Sequence, residues 1–262
     1  MRPNRRIFVA GCAALFLLLS LVACISEPEA RILFVGNSYT ANHDLAGNVA
    51  ALAKSAGHPI EVDARAPGGW WLRDHAGSSD TLDKIATGDF DFVVLQEQSM
   101  VPADGRLAER ESVPAARQLS TRIDQSGART VMFMTWGHRG GSREVGHRSY
   151  DSMQIAIADT YERLGEVVVG PVAPVGAAWW MARAERPDIV LYESDGNHPS
   201  AYGTYLAAAV LAAVMLSAIA KKAFVWKTGF WGKESSQGWY YEVLYFLCLI
   251  LFLTTGGGSI GI

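Results

Sequence analysis

Short apolar runs alternate with longer amphipathic segments along the middle of the chain, and this alternation predicts strands followed by helices. The predicted strands are Arg31–Val35, Ile60–Ala66, Phe90–Leu95, Thr130–Thr135 and Val167–Val169. The predicted helices are Asp44–Ala56, Thr81–Ala86, Arg106–Gln125, Tyr150–Leu164, a segment containing Trp179 and Trp180, and Tyr202–Ala220. Pro114 lies inside the third helix, and we expect it to interrupt that helix or to mark a fresh start.

This order of elements is typical of a mainly parallel, doubly wound sheet, because neighbouring parallel strands need a helical crossover between them. Residues 31–220 contain no internal repeat and no linker, so we expect them to form one α/β domain. In such a sheet a ligand binds outside the carboxyl ends of the strands. Residues that carry chemistry should therefore follow the strands.

The amino end has a different pattern, in which three arginines within residues 2–6 precede an apolar run from Ile7 to Val22. A basic segment followed by such a run is typical of an export signal. The run ends Leu21-Val22-Ala23-Cys24, which resembles the lipobox of bacterial lipoproteins. In those proteins the peptide is cut before a cysteine whose thiol carries lipid.

The lipobox resemblance implies that residues 1–23 are a signal peptide, that Cys24 is the lipidation site and that residues 24–30 form a short tether. Two or three acyl chains hold a protein on a membrane stably, whereas a single chain does not. Residue 25 is isoleucine, which gives no acidic retention signal. We therefore expect a lipid-anchored protein of the bacterial cell envelope, with the periplasmic side of the outer membrane preferred. A transmembrane helix, or a plain signal peptide with an incidental cysteine, is the alternative.

The carboxyl end is also apolar. Several tryptophans follow Lys222, and the segment from Trp239 to Thr255 carries a single charge, at Glu242. Its length is near the lower limit for a membrane span, and flanking aromatic residues suit a membrane interface. We interpret residues 221–262 as a membrane-associating tail. A buried terminal helix and a tail altered by a reading-frame error are the alternatives.

Composition and charge narrow the classes of function. The 262 residues are 50% hydrophobic and 19% charged, and the two apolar ends account for the slightly positive mean hydropathy of +0.12. The formal net charge is −3, and removal of residues 1–23 takes away three arginines and no acid, which leaves −6. A chain with this balance has no basic surface for nucleic acid.

The three cysteines cannot form a disulfide framework. Cys12 would leave with the signal peptide and Cys24 would carry lipid, so Cys248 would have no cysteine to pair with in the mature chain. The histidines show no HExxH motif or closely paired spacing, and the chain has no Walker or dinucleotide-binding glycine pattern. We therefore expect no metal and no cofactor.

Polar residues and glycines follow the predicted strands. Ser38 follows the first strand, Gly68-Gly69 the second and Gln96-Glu97-Gln98 the third, while Asp195 and His198 lie in a polar loop before the last helix. Acyl transfer needs these groups at one edge of the sheet. The hydroxyl can act as the nucleophile, the imidazole as the base and the acid as the group that orients the base, while the amides can donate hydrogen bonds to the oxyanion. A simpler interpretation is that the serine caps a helix and that the acid and the histidine are a chance pair.

Taken together, these residues resemble the motifs of the SGNH/GDSL hydrolases over roughly residues 31–220. The first block contains Gly36-Asn37-Ser38, with asparagine where many members have aspartate, and the last is Asp195-x-x-His198. The resemblance implies a flavodoxin-like three-layer α/β/α sandwich with a parallel five-stranded sheet, and a serine hydrolase that acts on esters. It implies Ser38 as nucleophile, His198 as general base and Asp195 as the residue that orients the base.

The third block departs from the family pattern, which has Gly-x-Asn after the third strand. Gln98 falls at the position of the asparagine and carries the same amide on a longer side chain, with Gln96 as the alternative. The resemblance therefore implies an oxyanion hole formed by the backbone amides of Ser38 and of Gly69, or its neighbour Gly68, together with the Gln98 side chain.

Four ring-bearing side chains are candidates to line a substrate pocket, because such rings suit sugars and acyl groups. Trp136 and His75 are assigned to substrate binding, and Trp70 and Trp71 are further candidates. Packing in the core or on a helix face is the alternative for each of them.

We expect a lipid-anchored serine esterase whose favoured substrate is an O-acetyl group on a carbohydrate, cleaved through an acyl-enzyme at Ser38. Its partners would be a small-molecule or carbohydrate ester and the membrane that holds the anchor. The alternatives are a lipase-like or lysophospholipase-like hydrolase and a non-catalytic, glycan-binding surface lipoprotein. The altered third block keeps the binding alternative open.

Overall fold

The computed structural model describes residues 30–224, with side chains described as far as residue 218. The strands are β1 (Ala30–Val35), β2 (Ile60–Arg65), β3 (Phe92–Leu95), β4 (Arg129–Phe133) and β5 (Val172–Ala173). The helices are α1 (Ser38–Ala41), α2 (Leu45–Ser55), α3 (Leu72–Ala76), α4 (Ser79–Thr87), α5 (Gly105–Gln125), α6 (Tyr150–Val168), α7 (Val175–Glu185) and α8 (Ala201–Phe224). The predicted signal peptide, the lipidation site Cys24 and nearly all of the 221–262 tail lie outside the described residues.

The five strands form one parallel sheet in the order β2-β1-β3-β4-β5. The predicted parallel α/β fold is therefore confirmed. β3 is buried along its whole length, whereas β2 lies at the edge and is partly exposed. The strand order reverses between β1 and β3, which is the place where ligands bind in sheets of this kind.

Successive side chains of the central strands point to opposite faces of the sheet, and a layer of helices covers each face. Phe34 and Val94 lie on the face covered by α2, α7 and α8. Leu33 and Val93 lie on the other face, which α3, α4, α5 and α6 cover. The predicted three-layer sandwich is therefore also confirmed.

The predicted strand Val167–Val169 is wrong. Helix α6 continues to Val168, because Leu164 and Val168 extend the buried stripe of the helix, and Val169 ends it in the left-handed conformation with φ 49°. The fifth strand is instead the two-residue β5, which pairs with β4. A run of three valines favours a strand locally, but the helical spacing of the buried residues prevails here.

Pro114 lies within α5 without ending it, so the expected interruption does not occur. Pro114 and Arg110 are both exposed, and water can therefore satisfy the Arg110 carbonyl that lacks its helical donor.

The short helices α1 and α3 are absent from the predicted set. Side chains hold their first turns, since Asn37 accepts from an amide of α1 and Asp74 accepts from the Trp71 amide.

Helix α8 is long and apolar enough over Ala201–Ala218 to cross a membrane, judged by length and composition. Within the fold it packs along α2 and α7 and contributes Leu206, Leu211 and Met215 to the core. Its apolar character is therefore that of a core helix.

Candidate active site

Ser38 lies just after β1 at the carboxyl edge of the sheet, where it begins α1. Asn37 caps this helix, since its side-chain oxygen accepts a hydrogen bond from the Tyr39 amide and its carbonyl accepts one from the Thr40 amide. The Ser38 amide is the first N–H of the helix and has no acceptor among residues 30–224, as is usual for that position. The predicted nucleophile is therefore half-buried and has an unused amide beside its hydroxyl.

Gln96, the first residue after β3, holds the turn that carries Ser38. Its Oε1 accepts from the Asn37 amide at 3.0 Å and from the Thr40 hydroxyl at 2.9 Å. Its Nε2 donates to Asn37 Oδ1 at 3.1 Å and to the Glu97 carbonyl. Both amide protons of Gln96 are thus used inside the protein, which leaves Gln98 as the side-chain candidate for an oxyanion donor.

Gly36 makes this arrangement possible. A Cβ atom at this position would lie 2.5 Å from both Gln96 Oε1 and Thr40 Oγ1, which is well inside van der Waals contact. The backbone can approach the two polar groups closely only because the residue has no side chain. We therefore regard Gly36 as a requirement of the packing around the nucleophile.

Ser38, His198 and Asp195 meet in the structure, as the motifs predict. The Ser38 Oγ lies 2.9 Å from His198 Nε2, and His198 Nδ1 lies 2.5 Å from Asp195 Oδ2. With the carboxylate accepting a hydrogen bond from Nδ1–H, Nε2 carries no proton and is free to accept the serine proton. The three residues therefore form a hydrogen-bonded chain from carboxylate to imidazole to hydroxyl.

The Asp195 carboxylate is held in its ionised form. Its Oδ1 accepts from the amides of Asn197 at 2.9 Å and of His198 at 3.0 Å. Desolvation by itself raises the pKa of Asp195, but the hydrogen bonds from the His198 ring and from these two amides outweigh it and lower that pKa to about 2. The acid can therefore orient the imidazole throughout the neutral pH range.

Asn197 directly precedes the predicted base and is held from two sides. The Tyr39 hydroxyl donates to its side-chain oxygen in a short hydrogen bond, and Trp136 Nε1 donates to its carbonyl at 3.1 Å. The rings of Tyr39 and Trp136 stack with their centroids 4.6 Å apart and their planes within 4°. Because Tyr39 directly follows the nucleophile, these contacts set the position of the base relative to the serine.

Sequence reasoning missed Tyr39 and Asn197. Each is the immediate neighbour of a catalytic candidate in the chain, and that adjacency is the one signal that could have indicated a supporting role. Their mutual contact spans 158 positions in the sequence, so no local pattern predicts it.

Gly69 lies in the loop between β2 and α3 and has a left-handed backbone with φ 75°. The Asn37 Nδ2 donates to the Trp70 carbonyl at 2.9 Å, which fastens this loop to the turn of the nucleophile. Among residues 30–224 no acceptor binds the amides of Gly68 or Gly69. The loop is thus joined to the turn that carries Ser38, and the Gly69 amide stays a predicted oxyanion donor.

Gln98 is half-buried and lies in the loop three residues after the end of β3. Its Oε1 accepts from the amides of Met100 at 2.8 Å and Val101 at 3.3 Å, which fixes the side-chain oxygen inside the protein. Its Nε2 has no acceptor among the residues that the structure describes. The arrangement leaves an NH₂ group available for an oxyanion, and the role of Gln98 stays a prediction.

The assignment of Trp136 and His75 to substrate binding is wrong, because neither side chain has any exposed surface. Trp136 lies between Tyr39 and Trp179, the latter ring at a centroid distance of 3.8 Å. A residue enclosed in this way positions its neighbours and does not contact a ligand.

His75 is enclosed by polar contacts instead. Its Nε2 lies 2.8 Å from the Gly36 carbonyl and its Nδ1 lies 3.1 Å from Thr81 Oγ1. Desolvation by burial lowers the pKa of His75, so the ring is neutral and can donate from one nitrogen while accepting at the other. His75 therefore supports the backbone just before the nucleophile.

Trp70 and Trp71 differ from these two residues because both are half-buried and directly follow Gly69. The guanidinium of Arg65 lies 5.2 Å from the Trp70 ring, and that of Arg73 lies 4.0 Å from the Trp71 ring. Both tryptophans stay candidates for substrate contact. Within residues 30–224, no three His, Cys, Asp or Glu side chains cluster in a way that could hold a metal ion.

Several solved structures are similar to this chain. A protein from Slackia heliotrinireducens assigned to the SGNH hydrolases is 32% identical over 71% of this chain and 98% of its own, with a TM-score of 0.61. A DUF4886 family protein from Bacteroides uniformis is 15% identical over 87% of this chain and 96% of its own, with a TM-score of 0.62. A mutant of an acetyl-xylooligosaccharide esterase from Geobacillus is 16% identical over 79% and 97%, with a TM-score of 0.51. No protein-family model and no curated protein matches the chain.

Proposed function

The chain belongs to the SGNH hydrolases, and from this premise we propose that it is a serine esterase that forms an acyl-enzyme at Ser38. The observation that carries the proposal is the 2.9 Å contact between Ser38 Oγ and His198 Nε2, with Asp195 on the other ring nitrogen. A hydroxyl within reach of an imidazole that a carboxylate orients is the arrangement that activates a serine.

In the acylation step, the Ser38 oxygen attacks the carbonyl carbon of the ester while its proton passes to His198 Nε2. The carbonyl oxygen becomes an oxyanion, and the amides of Ser38 and Gly69 and the Gln98 NH₂ group donate to it. The bond to the alcohol oxygen then breaks, and the imidazolium returns its proton to the leaving alcohol. Asp195 stabilises the imidazolium while it exists.

Water completes the cycle. His198 takes a proton from the water molecule, whose oxygen attacks the acyl carbon, and the same three donors bind the second oxyanion. When the bond to Ser38 breaks, the imidazolium protonates the serine oxygen. The products are one alcohol and one carboxylic acid, and the enzyme returns to its starting state.

We propose an O-acetyl group on a carbohydrate as the substrate class. The half-buried rings of Trp70 and Trp71 follow the oxyanion loop, and aromatic side chains of this kind line many ligand sites. Two proteins with the same fold support the choice, since one is an acetyl xylan esterase and the other an acetyl-xylooligosaccharide esterase.

The position of the proposed anchor favours a carbohydrate over a lipid of the anchoring membrane. Ala30 begins β1 and Ser38 follows its end, so the chain from Cys24 enters the domain at the edge opposite the site. At about 3.3 Å per residue, β1 separates these edges by about 20 Å. The site would therefore lie on the side of the domain away from its proposed point of attachment, which favours a substrate from outside the anchoring membrane.

The test of the esterase is labelling of the full-length chain, in a mild detergent, with a fluorophosphonate probe that reacts with activated serines. Intact mass would be measured for the wild type, Ser38→Ala and His198→Ala. We expect one adduct on the wild type and none on either variant. A folded wild type that takes up no probe would count against the esterase and favour a glycan-binding lipoprotein.

A panel of esters then separates the substrate classes. We expect turnover of p-nitrophenyl acetate and of acetylated oligosaccharides, and little turnover of long-chain esters or lysophospholipid. The opposite preference would favour the lipase-like alternative. Ser38→Ala measures the background hydrolysis for each ester.

We also propose that Cys24 is lipidated and holds the enzyme in the cell envelope. Metabolic labelling with a palmitate analogue should mark the wild type and should fail for Cys24→Ala, which is expected to lose its membrane fraction. Labelling that survives in the variant would contradict the assignment.

A further inference from the structure

Glu97 is a carboxylic acid with no exposed surface, and the mechanism above does not use it. Its Oε1 accepts from the amides of Leu72 at 3.0 Å and Gln98 at 2.7 Å, and its Oε2 accepts from the Ser112 hydroxyl at 2.5 Å. Desolvation raises the pKa of Glu97, and these three hydrogen bonds oppose that effect. An acid is buried at such a cost only where its bonds to neighbours compensate.

The two amides belong to the two loops that would supply oxyanion donors to Ser38. Leu72 begins α3, three residues after Gly69, and Gln98 is the proposed side-chain donor. One carboxylate oxygen therefore joins both loops at a single point.

Buried side chains of the outer helices hold this point in place. Ser112 on α5 binds the second carboxylate oxygen, and the hydroxyl of Tyr161 on α6 accepts from the Glu97 amide at 3.1 Å. Neither Ser112 nor Tyr161 has exposed surface. The carboxylate is thus fixed to the helical layer, and the two loops are fixed to the carboxylate.

We propose that Glu97 is a positioning residue that holds the Gly69 amide and the Gln98 NH₂ group where both can reach an oxyanion at Ser38. This inference rests on the esterase function proposed above. It gives the Gln96-Glu97 pair a shared task, in which Gln96 binds the loop of the nucleophile and Glu97 binds the loop of the second donor. The pair links the three loops of the site.

Side-chain length and charge can be separated at this position. Glu97→Gln keeps the length, and its amide oxygen can accept from both Leu72 and Gln98 while its NH₂ group donates to the Ser112 oxygen. Glu97→Asp keeps the carboxyl group but is one methylene shorter, so it cannot reach both amides from the same backbone position. Positioning therefore predicts that glutamine substitutes for Glu97 and aspartate does not.

The experiment measures kcat and KM for p-nitrophenyl acetate with the full-length wild type, Glu97→Gln and Glu97→Asp. We expect Glu97→Asp to lower kcat about 100-fold, near the lower end of the effect of losing one oxyanion donor. Its KM should stay within about threefold of the wild type, because the donors act mainly in the transition state. Glu97→Gln should keep kcat within about fivefold of the wild-type value, because a fivefold change corresponds to about the net free energy of one hydrogen bond.

Ser126→Ala is the matched control, since it removes a part-buried hydrogen bond to the Ile123 carbonyl, 2.8 Å long, at the end of α5 that leads into β4 and so at the edge of the sheet opposite the site. It should lower the thermal midpoint but leave kcat close to the wild-type value. A kcat for Glu97→Asp equal to that of Ser126→Ala, or an equal loss in Glu97→Gln and Glu97→Asp, would overturn the positioning role. An inactive, unlabelled wild type would overturn the esterase itself and this inference with it.

Discussion

Replacement of Asp195 by asparagine separates the two tasks of this carboxylate. Oδ1 accepts from the amides of Asn197 and His198, and the asparagine carbonyl oxygen can keep both bonds. Oδ2 accepts from His198 Nδ1 at 2.5 Å, and an NH₂ group in its place is a donor. The loop should therefore keep its shape while its contact with the imidazole is reversed.

The size of the effect follows from the tautomer of His198. Facing a donor, Nδ1 must accept, so the ring proton moves to Nε2 and points at the Ser38 oxygen 2.9 Å away. In that form the imidazole cannot take the serine proton. The corresponding substitution in a serine protease triad lowers kcat about 10⁴-fold. At about 1.36 kcal/mol per factor of ten, that loss is about 5.4 kcal/mol of transition-state stabilisation, and we expect the same order here.

The assay is steady-state hydrolysis of p-nitrophenyl acetate by the full-length chain, with Ser38→Ala as the background. Asp195→Ala is the matched variant, because it removes the loop contacts as well and should also lower the thermal midpoint. The reasoning is refuted if Asp195→Asn keeps the wild-type midpoint and more than about a tenth of the wild-type kcat, against the ~10⁴-fold loss expected.

Four further predictions concern the surroundings of this triad. Tyr39→Phe removes only the hydroxyl that binds Asn197, so kcat should fall about fivefold, the value of one hydrogen bond; an unchanged kcat would mean that the contact does not position the base. Gln98→Glu keeps the acceptor oxygen but replaces the NH₂ donor, and kcat should fall at least about 100-fold; retention of activity would exclude Gln98 as an oxyanion donor. Trp136→Ala removes a fully buried ring and should lower the free energy of unfolding in urea by about 3–5 kcal/mol; a loss below about 1 kcal/mol would contradict its place in the core. The pKa of Asp195 is lowered from its ordinary 3.8 to about 2, so its contribution to stability is complete above pH 3.8 and is lost as the pH falls toward 2; unfolding across that window should depend more steeply on pH for the wild type than for Asp195→Asn, and equal slopes would argue against the lowered pKa.

The hydrophobic pattern was sufficient to predict the parallel sheet, because β1, β3 and β4 are mostly buried apolar runs and the edge strand β2 alternates apolar and polar residues. Each of the four lies within two residues of its predicted position. The fifth strand could not be found in this way. Two residues, Val172–Ala173, carry too little pattern, and the nearby valines complete a helix whose buried face is visible only after it has packed.

The catalytic candidates could also be named from the chain, because the order of strand, turn and polar loop restricts which residues reach the carboxyl edge. Ser38 and His198 are 160 positions apart, and their 2.9 Å contact in the structure agrees with that expectation. Trp136 and His75 could not be placed from the sequence, since a ring near the carboxyl edge of the sheet suits a cleft and a core equally well.

By itself, the sequence determined the type of sheet and the residues that are chemically able to act, because periodicity and residue type are local properties. Only the tertiary structure decided which other side chains hold these reactive residues in position. The Trp136 indole meets a carbonyl 61 positions away and the His75 ring one 39 positions away. Burial and hydrogen bonding at such separations depend on how whole elements pack, and no window of sequence contains that information.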